Sequence, residues 1–189
     1  MVLACTMIDD LKRGLMVGRF QPFHKGHLCL VRQIFQDCDE LIVAIGSAQF
    51  NYSYTDPFTA GERIMMIHSA LVESEIDLKK CYIVPVVNDE NNARWFGHLK
   101  SMVPHFDILY SGNEFVTNLV SRHTKILKPR FNKRREYNGT NIRKLMSRSC
   151  RWKKFLPDSV ARLIEQLDGV KRIRFLLNEK LSEREKYAV

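Results

Sequence analysis

Two histidines three residues apart, His24 and His27, flank Lys25 and Gly26 in the stretch "GLMVGRFQPFHKGHLCLV" (Gly14–Val31). They fall where an apolar run ends and a helical pattern begins. A helix N-terminus presents unpaired N–H groups and about half a positive charge, so it attracts phosphate. Imidazolium rings and a lysine at that point add donors and charge. One histidine alone is more often structural than catalytic. A pair spaced i, i+3 around a glycine at such a junction points to an anion site. No zinc site is expected, since two histidines need further ligands and no Cys/His cluster accompanies them.

The elements that must hold this pair are legible as alternating patterns. Apolar runs at Leu15–Phe20, Glu40–Ala48, Cys81–Val87 and Phe106–Asn113 predict four buried strands, and "TKILK" predicts a fifth. Between them, His27–Phe35, "NARWFGHLKSMV" and "EFVTNLVSRH" carry helical patterns. "DPFTAGERIMMIHSAL" opens on Thr59 and Glu62, the spacing of a capping box. In "GTNIRKLM" (Gly139–Met146), Thr140 is suited to capping a short helix. Two more helices are expected over 158–168 and 169–185, parted at Gly169. Alternating strands and helices predict an α/β fold: a Rossmann-like, doubly wound parallel sheet of about five strands with a small C-terminal helical extension. The expected division is an N-terminal extension over 1–14, an α/β domain over 15–150 and a helical cap over 151–189 packed on it. Gly18, Gly46 and Gly112 each end a predicted strand, which sets them along one edge. In an open parallel sheet that edge binds ligands.

Bulk composition narrows the class. The 189 residues carry a net charge of +9. Lys125–Lys154 holds twelve basic residues and one acid, Glu136, for +11, so the rest of the chain is slightly acidic. Such a segment suits polyanions, either nucleic acid or nucleotide phosphates. No run of about eighteen apolar residues suggests a membrane span. The opening "MVLACTMIDDLKRG" has acids where a signal peptide needs an apolar stretch. Five scattered cysteines make neither a disulfide framework nor a CxxC pair, and a reducing cytoplasm is the expectation.

"GRFQPFHKGH" (Gly18–His27) resembles the HxGH signature of nucleotidyltransferases, in the form found in archaeal-type nicotinamide-nucleotide adenylyltransferases. "IGSAQ" (Ile45–Gln49), "DPFTAGER" (Asp56–Arg63), "YSGN" (Tyr110–Asn113) and "GTNIR" (Gly139–Arg143) resemble further motifs of that family, in its order. The resemblance implies adenylyl transfer from ATP, as its Mg²⁺ complex, to nicotinamide mononucleotide (NMN), giving NAD and pyrophosphate. It implies His24, His27 and Arg143 as catalytic groups on the phosphates. Gly18, Arg19, Phe20, Gln21, Gly26, Gly112, Asn113 and Thr140 would bind ATP, with Thr140 capping the helix that faces the triphosphate. Gly46, Ser47, Asn88, Asp89, Trp95 and Phe131 would bind NMN, with Trp95 stacked on the pyridinium ring. Magnesium is expected on phosphate oxygens and water rather than on protein side chains. Members commonly form homo-oligomers, hexamers among them.

The sequence departs from the family pattern at Asn88, where Asp is usual, at Asp89, at Thr55 and at Asn138. Selectivity for NMN over its nicotinate counterpart therefore stays open. So do two other readings: another HxGH enzyme, such as a phosphopantetheine or FMN adenylyltransferase, and a nucleic-acid-binding module using the basic segment.

Overall fold

Every residue of the strand Glu40–Ile45 (β2) is buried, which is why Leu41–Ile45 reads as an unbroken apolar run. The computed structural model describes residues 11–89, 91–130 and 136–186, so Phe131 lies outside the described residues. β2 is the second of five parallel strands, with Arg13–Gly18 (β1), Cys81–Pro85 (β3), Ile108–Tyr110 (β4) and Lys125–Leu127 (β5). The sheet order is β3-β2-β1-β4-β5. Strands are laid down from β1 outward to β3, and the chain then crosses back to place β4 against the other side of β1. The carboxyl ends of β1 and β4 are therefore the switch point, where an open sheet leaves a crevice.

Alternation along each strand builds two cores. Met16, Leu41, Val43, Ile45, Ile108 and Tyr110 face one layer with residues of Lys25–Asp37 (α1), Ala60–Glu73 (α2), Gly139–Arg148 (α5), Asp158–Gln166 (α6) and Gly169–Lys186 (α7). Leu15, Ile42, Ala44 and Leu109 face the other, with Phe96, Leu99 and Val103 around Asn92–Met102 (α3) and Val120 of Glu114–Val120 (α4). This is the doubly wound α/β fold expected from the alternation of elements.

The strand boundaries differ from the sequence reading in an instructive way. β1 starts two residues earlier, because Arg13 is buried and its Nε donates to Glu40 at 2.6 Å, an ion pair that hydropathy does not register. It ends at Gly18, because Phe20 takes a left-handed φ of 51° and turns the chain towards α1. β4 has three residues rather than eight, since Asp107 spends its carboxylate on the Arg13 amide and Ser111–Asn113 turn away into the crevice.

The Thr59–Glu62 capping box forms as read, with Glu62 N–H donating to Thr59 Oγ1 at 3.2 Å and Thr59 N–H to Glu62 Oε2 at 2.9 Å. The cap of α5 does not. Asn138, not Thr140, is its N-cap: Asn138 Oδ1 accepts from Thr140 N–H at 2.9 Å and Asn141 N–H at 3.4 Å. The helix starts one residue before Thr140, so Thr140 lies inside the first turn and its hydroxyl accepts from Arg143 instead.

Candidate active site

His24 is the N-cap of α1, and the two histidines cap each other. His27 N–H donates to His24 Nδ1 at 3.3 Å, and His24 N–H donates to His27 Nδ1 at 3.2 Å. The rings stack with centroids 3.5 Å apart and 14° between planes. Because each Nδ1 accepts a backbone N–H, a neutral ring must carry its proton on Nε2. Phe20 meets the His27 ring edge-on at 4.8 Å and fixes it from one side.

Burial pushes the His24 pKa down to about 4 and the His27 pKa in the same direction, helped there by the neighbouring ring. Both are therefore uncharged near pH 7, where sequence alone suggests imidazolium. They offer two Nε2–H donors whose protonation an arriving polyanion would favour. In the unfolded chain such rings take up protons below about pH 6.5, whereas folded His24 does so only near pH 4. Between those values the unfolded state binds more protons, so stability falls as pH drops, by about 2 kcal/mol from His24 at pH 5. Glu62 and Glu73 act in the same sense lower down. Arg172 holds Glu62 below the usual carboxylate range, and bonds to Ser159 and Asp158 do so for Glu73, both against the opposing pull of burial. Calorimetry should show the melting temperature dropping by about 5 °C from pH 7.5 to pH 5. A flat profile would refute the neutral-histidine assignment.

Arg143 enters from α5 across the crevice. It is 4% exposed, and its Nη1 donates to the Gln21 carbonyl at 2.7 Å and its Nη2 to Thr140 Oγ1 at 3.4 Å. Its Nε is buried and, among the described residues, has no hydrogen-bond partner. Gln21 in turn exchanges two side-chain bonds with the Phe58 backbone, at 2.8 and 3.0 Å. Gly26 is required sterically, as a Cβ there would lie 2.7 Å from Tyr137 Cβ. Lys25 does not join the histidines; its Nζ donates to the Lys154 carbonyl at 3.1 Å.

Three cavities meet here. One of about 350 Å³ is lined by Arg19, Phe20, Gln21, His24, His27, Thr140 and Arg143, among others. A second, of about 650 Å³, includes Val17, His27, Ser111, Gly112, Asn113 and Thr117. A third, of about 220 Å³, includes Gly18, Arg19, Gly46, Ser47, Asn88, Trp95 and Asn113. His27 belongs to the first two, Arg19 to the first and third, and Ser111 and Asn113 to the second and third. Gly18 lies with Gly46 in the third, their strand ends joined by the Gly46 N–H to Gly18 carbonyl bond of 2.9 Å. Asp89 is turned to α3, taking the Asn91 amide at 2.8 Å and pairing with Arg94 at 3.5 Å.

Sequence reasoning passed over Arg63. It is wholly buried and donates to six carbonyls: Thr59 in its own helix, Arg19 after β1, and Gly46, Ser47, Ala48 and Phe50 after β2. The signal was present. Arg63 stands in the apolar stripe of α2 with Met66, Ile67, Ala70 and Leu71, where a charge must have partners. Arg172 of α7 is similar, gripping Glu62 at 2.7 and 2.8 Å and the Pro57 carbonyl at 3.1 Å. Among the described residues, no three His, Cys, Asp or Glu side chains gather as a metal site. No described helix is long and apolar enough to cross a membrane.

A switch-point crevice lined by paired histidines and by an arginine that enters from α5 defines a nucleotidyltransferase, and residues 15–149 match the cytidylyltransferase-like family. The chain is 44% identical to the nicotinamide-nucleotide adenylyltransferase of Caldivirga maquilingensis, over 87% of its own length and 94% of the relative's. It is 46% identical to that of Pyrobaculum arsenaticum, over 86% and 92%. This chain belongs to the family of nicotinamide-nucleotide adenylyltransferases. In fold it superposes on a bifunctional NMN adenylyltransferase/ADP-ribose pyrophosphatase from Francisella tularensis, solved with AMP and a manganese ion, with a TM-score of 0.78 and 22% identity. That likeness covers 93% of this chain and 54% of the Francisella chain, so this chain spans about half the length of that structure.

Proposed function

We infer that the protein transfers the adenylyl group of ATP to NMN, forming NAD and releasing pyrophosphate. The observation that carries this reading is the meeting of three cavities around His27 and Arg19, which suits two nucleotides brought end to end. A phosphate oxygen of NMN attacks the α-phosphorus of ATP. The new P–O bond forms as the bond to the β-phosphate oxygen breaks, and that oxygen leaves with pyrophosphate. The attacking group is already an anion, so the protein need supply no base and no covalent intermediate. What it must supply is alignment of two anions and donors for the charge that develops.

His27, at the junction, is assigned to the α-phosphate. His24 and Arg143 are assigned to the outer phosphates, where the unpaired Arg143 Nε has room for an acceptor. The larger cavity, with Gly112 and Asn113, is assigned to adenosine, and the smaller one, with Gly46, Ser47, Asn88 and Trp95, to NMN. The divalent ion arrives as part of the triphosphate substrate, Mg²⁺ in our reading. A homo-oligomeric enzyme of the cytoplasm completes the proposal, resting on family resemblance and cysteine usage.

Incubating the protein with ATP, Mg²⁺ and NMN should yield NAD and pyrophosphate in equal amounts. Absence of NAD from correctly folded protein would overturn the reading. Trp95 is half-buried against the second core and also lines the smaller cavity. Losing a stacking contact with a pyridinium cation should raise the KM for NMN about tenfold in Trp95→Ala. The KM for ATP should move less; equal changes would remove Trp95 from the NMN site.

A further inference from the structure

We propose that Asp56 is a positioning residue for adenylyl transfer: it holds the Arg19 guanidinium where the histidine-lined cavity meets the smaller one. The role rests on the adenylyl-transfer reading and adds to it the group that aims one of its cations. Among the described residues, Arg19 alone lines both of those cavities. A cation there faces the two anions that must meet. Its side chain is long and 53% exposed, so something must aim it. Among the described residues Asp56 is its one ionic partner, with Arg19 Nη1 lying 3.4 and 3.3 Å from the two carboxylate oxygens. Nε and Nη2 keep their hydrogens for phosphate oxygens.

Asp56 can aim Arg19 because it is itself fixed. It is 5% exposed and is not among the residues that line either cavity. Its N–H donates to the Ser53 carbonyl and to Ser53 Oγ, both at 3.1 Å, and its carbonyl accepts the Ser53 N–H at 3.3 Å. Two residues on, the backbone of Phe58 is bonded to Gln21, which stands two residues after Arg19. Both partners thus hang from one braced unit. Arg63 and Arg143 also lie within electrostatic reach of the carboxylate. Their described hydrogen bonds go to carbonyls and to Thr140, which leaves the carboxylate to Arg19. An ion pair with one exposed partner adds little stability, so stability does not explain this carboxylate. Beside two anionic substrates it would also repel them. Holding Arg19 in place accounts for it.

The test is kcat and both KM values in the wild type, Asp56→Asn, Arg19→Ala and the double variant, with melting temperatures alongside. Asparagine keeps the shape and removes the charge. Taking away an anion favours anionic substrates, so neither KM should rise more than about twofold. The kcat should nevertheless fall about tenfold or more, because Arg19 is no longer aimed. In the Arg19→Ala background, Asp56→Asn should lower kcat by less than about threefold, since the residue it acts through is gone. An equal loss in both backgrounds overturns the proposal, as does a fall of less than about threefold in Asp56→Asn alone. Asp56→Glu, which carries the charge one methylene further, gives the same comparison if Asp56→Asn melts below the assay temperature. A wild type that makes no NAD overturns the adenylyl-transfer reading and this role together. NAD formation with additive losses overturns only the role.

Discussion

His27→Ala should lower kcat by about 100- to 1,000-fold, the usual cost of removing one donor aimed at charge that appears in the transition state. The neutral ring carries its proton on Nε2, because Nδ1 already accepts the His24 amide. Alanine removes that Nε2–H and one half of the reciprocal cap. Losing the cap costs about 1 kcal/mol of stability, which is too little to unfold the chain. Affinity for ATP should fall much less than kcat, because in the proposed arrangement Arg143, His24 and the larger cavity would still hold the ground state. Rapid-quench turnover beside equilibrium ATP binding separates the two effects. Turnover near wild type, or a loss confined to KM, would remove His27 from the α-phosphate.

Arg63→Ala should cost about 3–5 kcal/mol, and the melting temperature should fall by about 10 °C. Burial, helped by the nearby Arg19 charge, pulls the Arg63 pKa down, yet the side chain keeps six carbonyl acceptors and lies within electrostatic reach of Asp56. Truncation leaves five carbonyls of the β1 and β2 loops without that donor, as well as a cavity in α2's packed face. Arg63→Met fills most of the volume without donors. A similar loss there would show that hydrogen bonding, rather than packing, is what matters. Those loops carry Arg19, Gly46 and Ser47 to the crevice, so the KM for NMN should rise in both variants. Denaturant titration of the three proteins measures the effect, and a loss below about 1 kcal/mol would refute it.

The two residues lie on opposite sides of what a sequence discloses. His27 is conspicuous because its chemistry is local: ring, spacing, glycine and strand end all fall within a few residues. Arg63 sits inside the motif "FTAGER" and still went without a role, because five of its six acceptors come from residues 13 to 44 positions away. The α5 cap was misplaced for a related reason. Asn138 and Thr140 both have side chains fit to cap, and the helix start decides between them.

From the sequence alone followed the alternation of buried strands and helices, and with it the parallel sheet, the Thr59–Glu62 box and the place of the histidine pair at the first strand-to-helix turn. These depend on periodicity, propensity and short spacings, which the chain carries locally. Tertiary structure alone decided that the two histidines are neutral and share the same tautomer. It alone paired Lys25 with a distant carbonyl, left the Arg143 Nε without an acceptor among the described residues and gathered three cavities at one crevice. Each of those depends on burial or on a partner remote in the chain, because desolvation and hydrogen-bond geometry belong to the neighbours a residue acquires on folding.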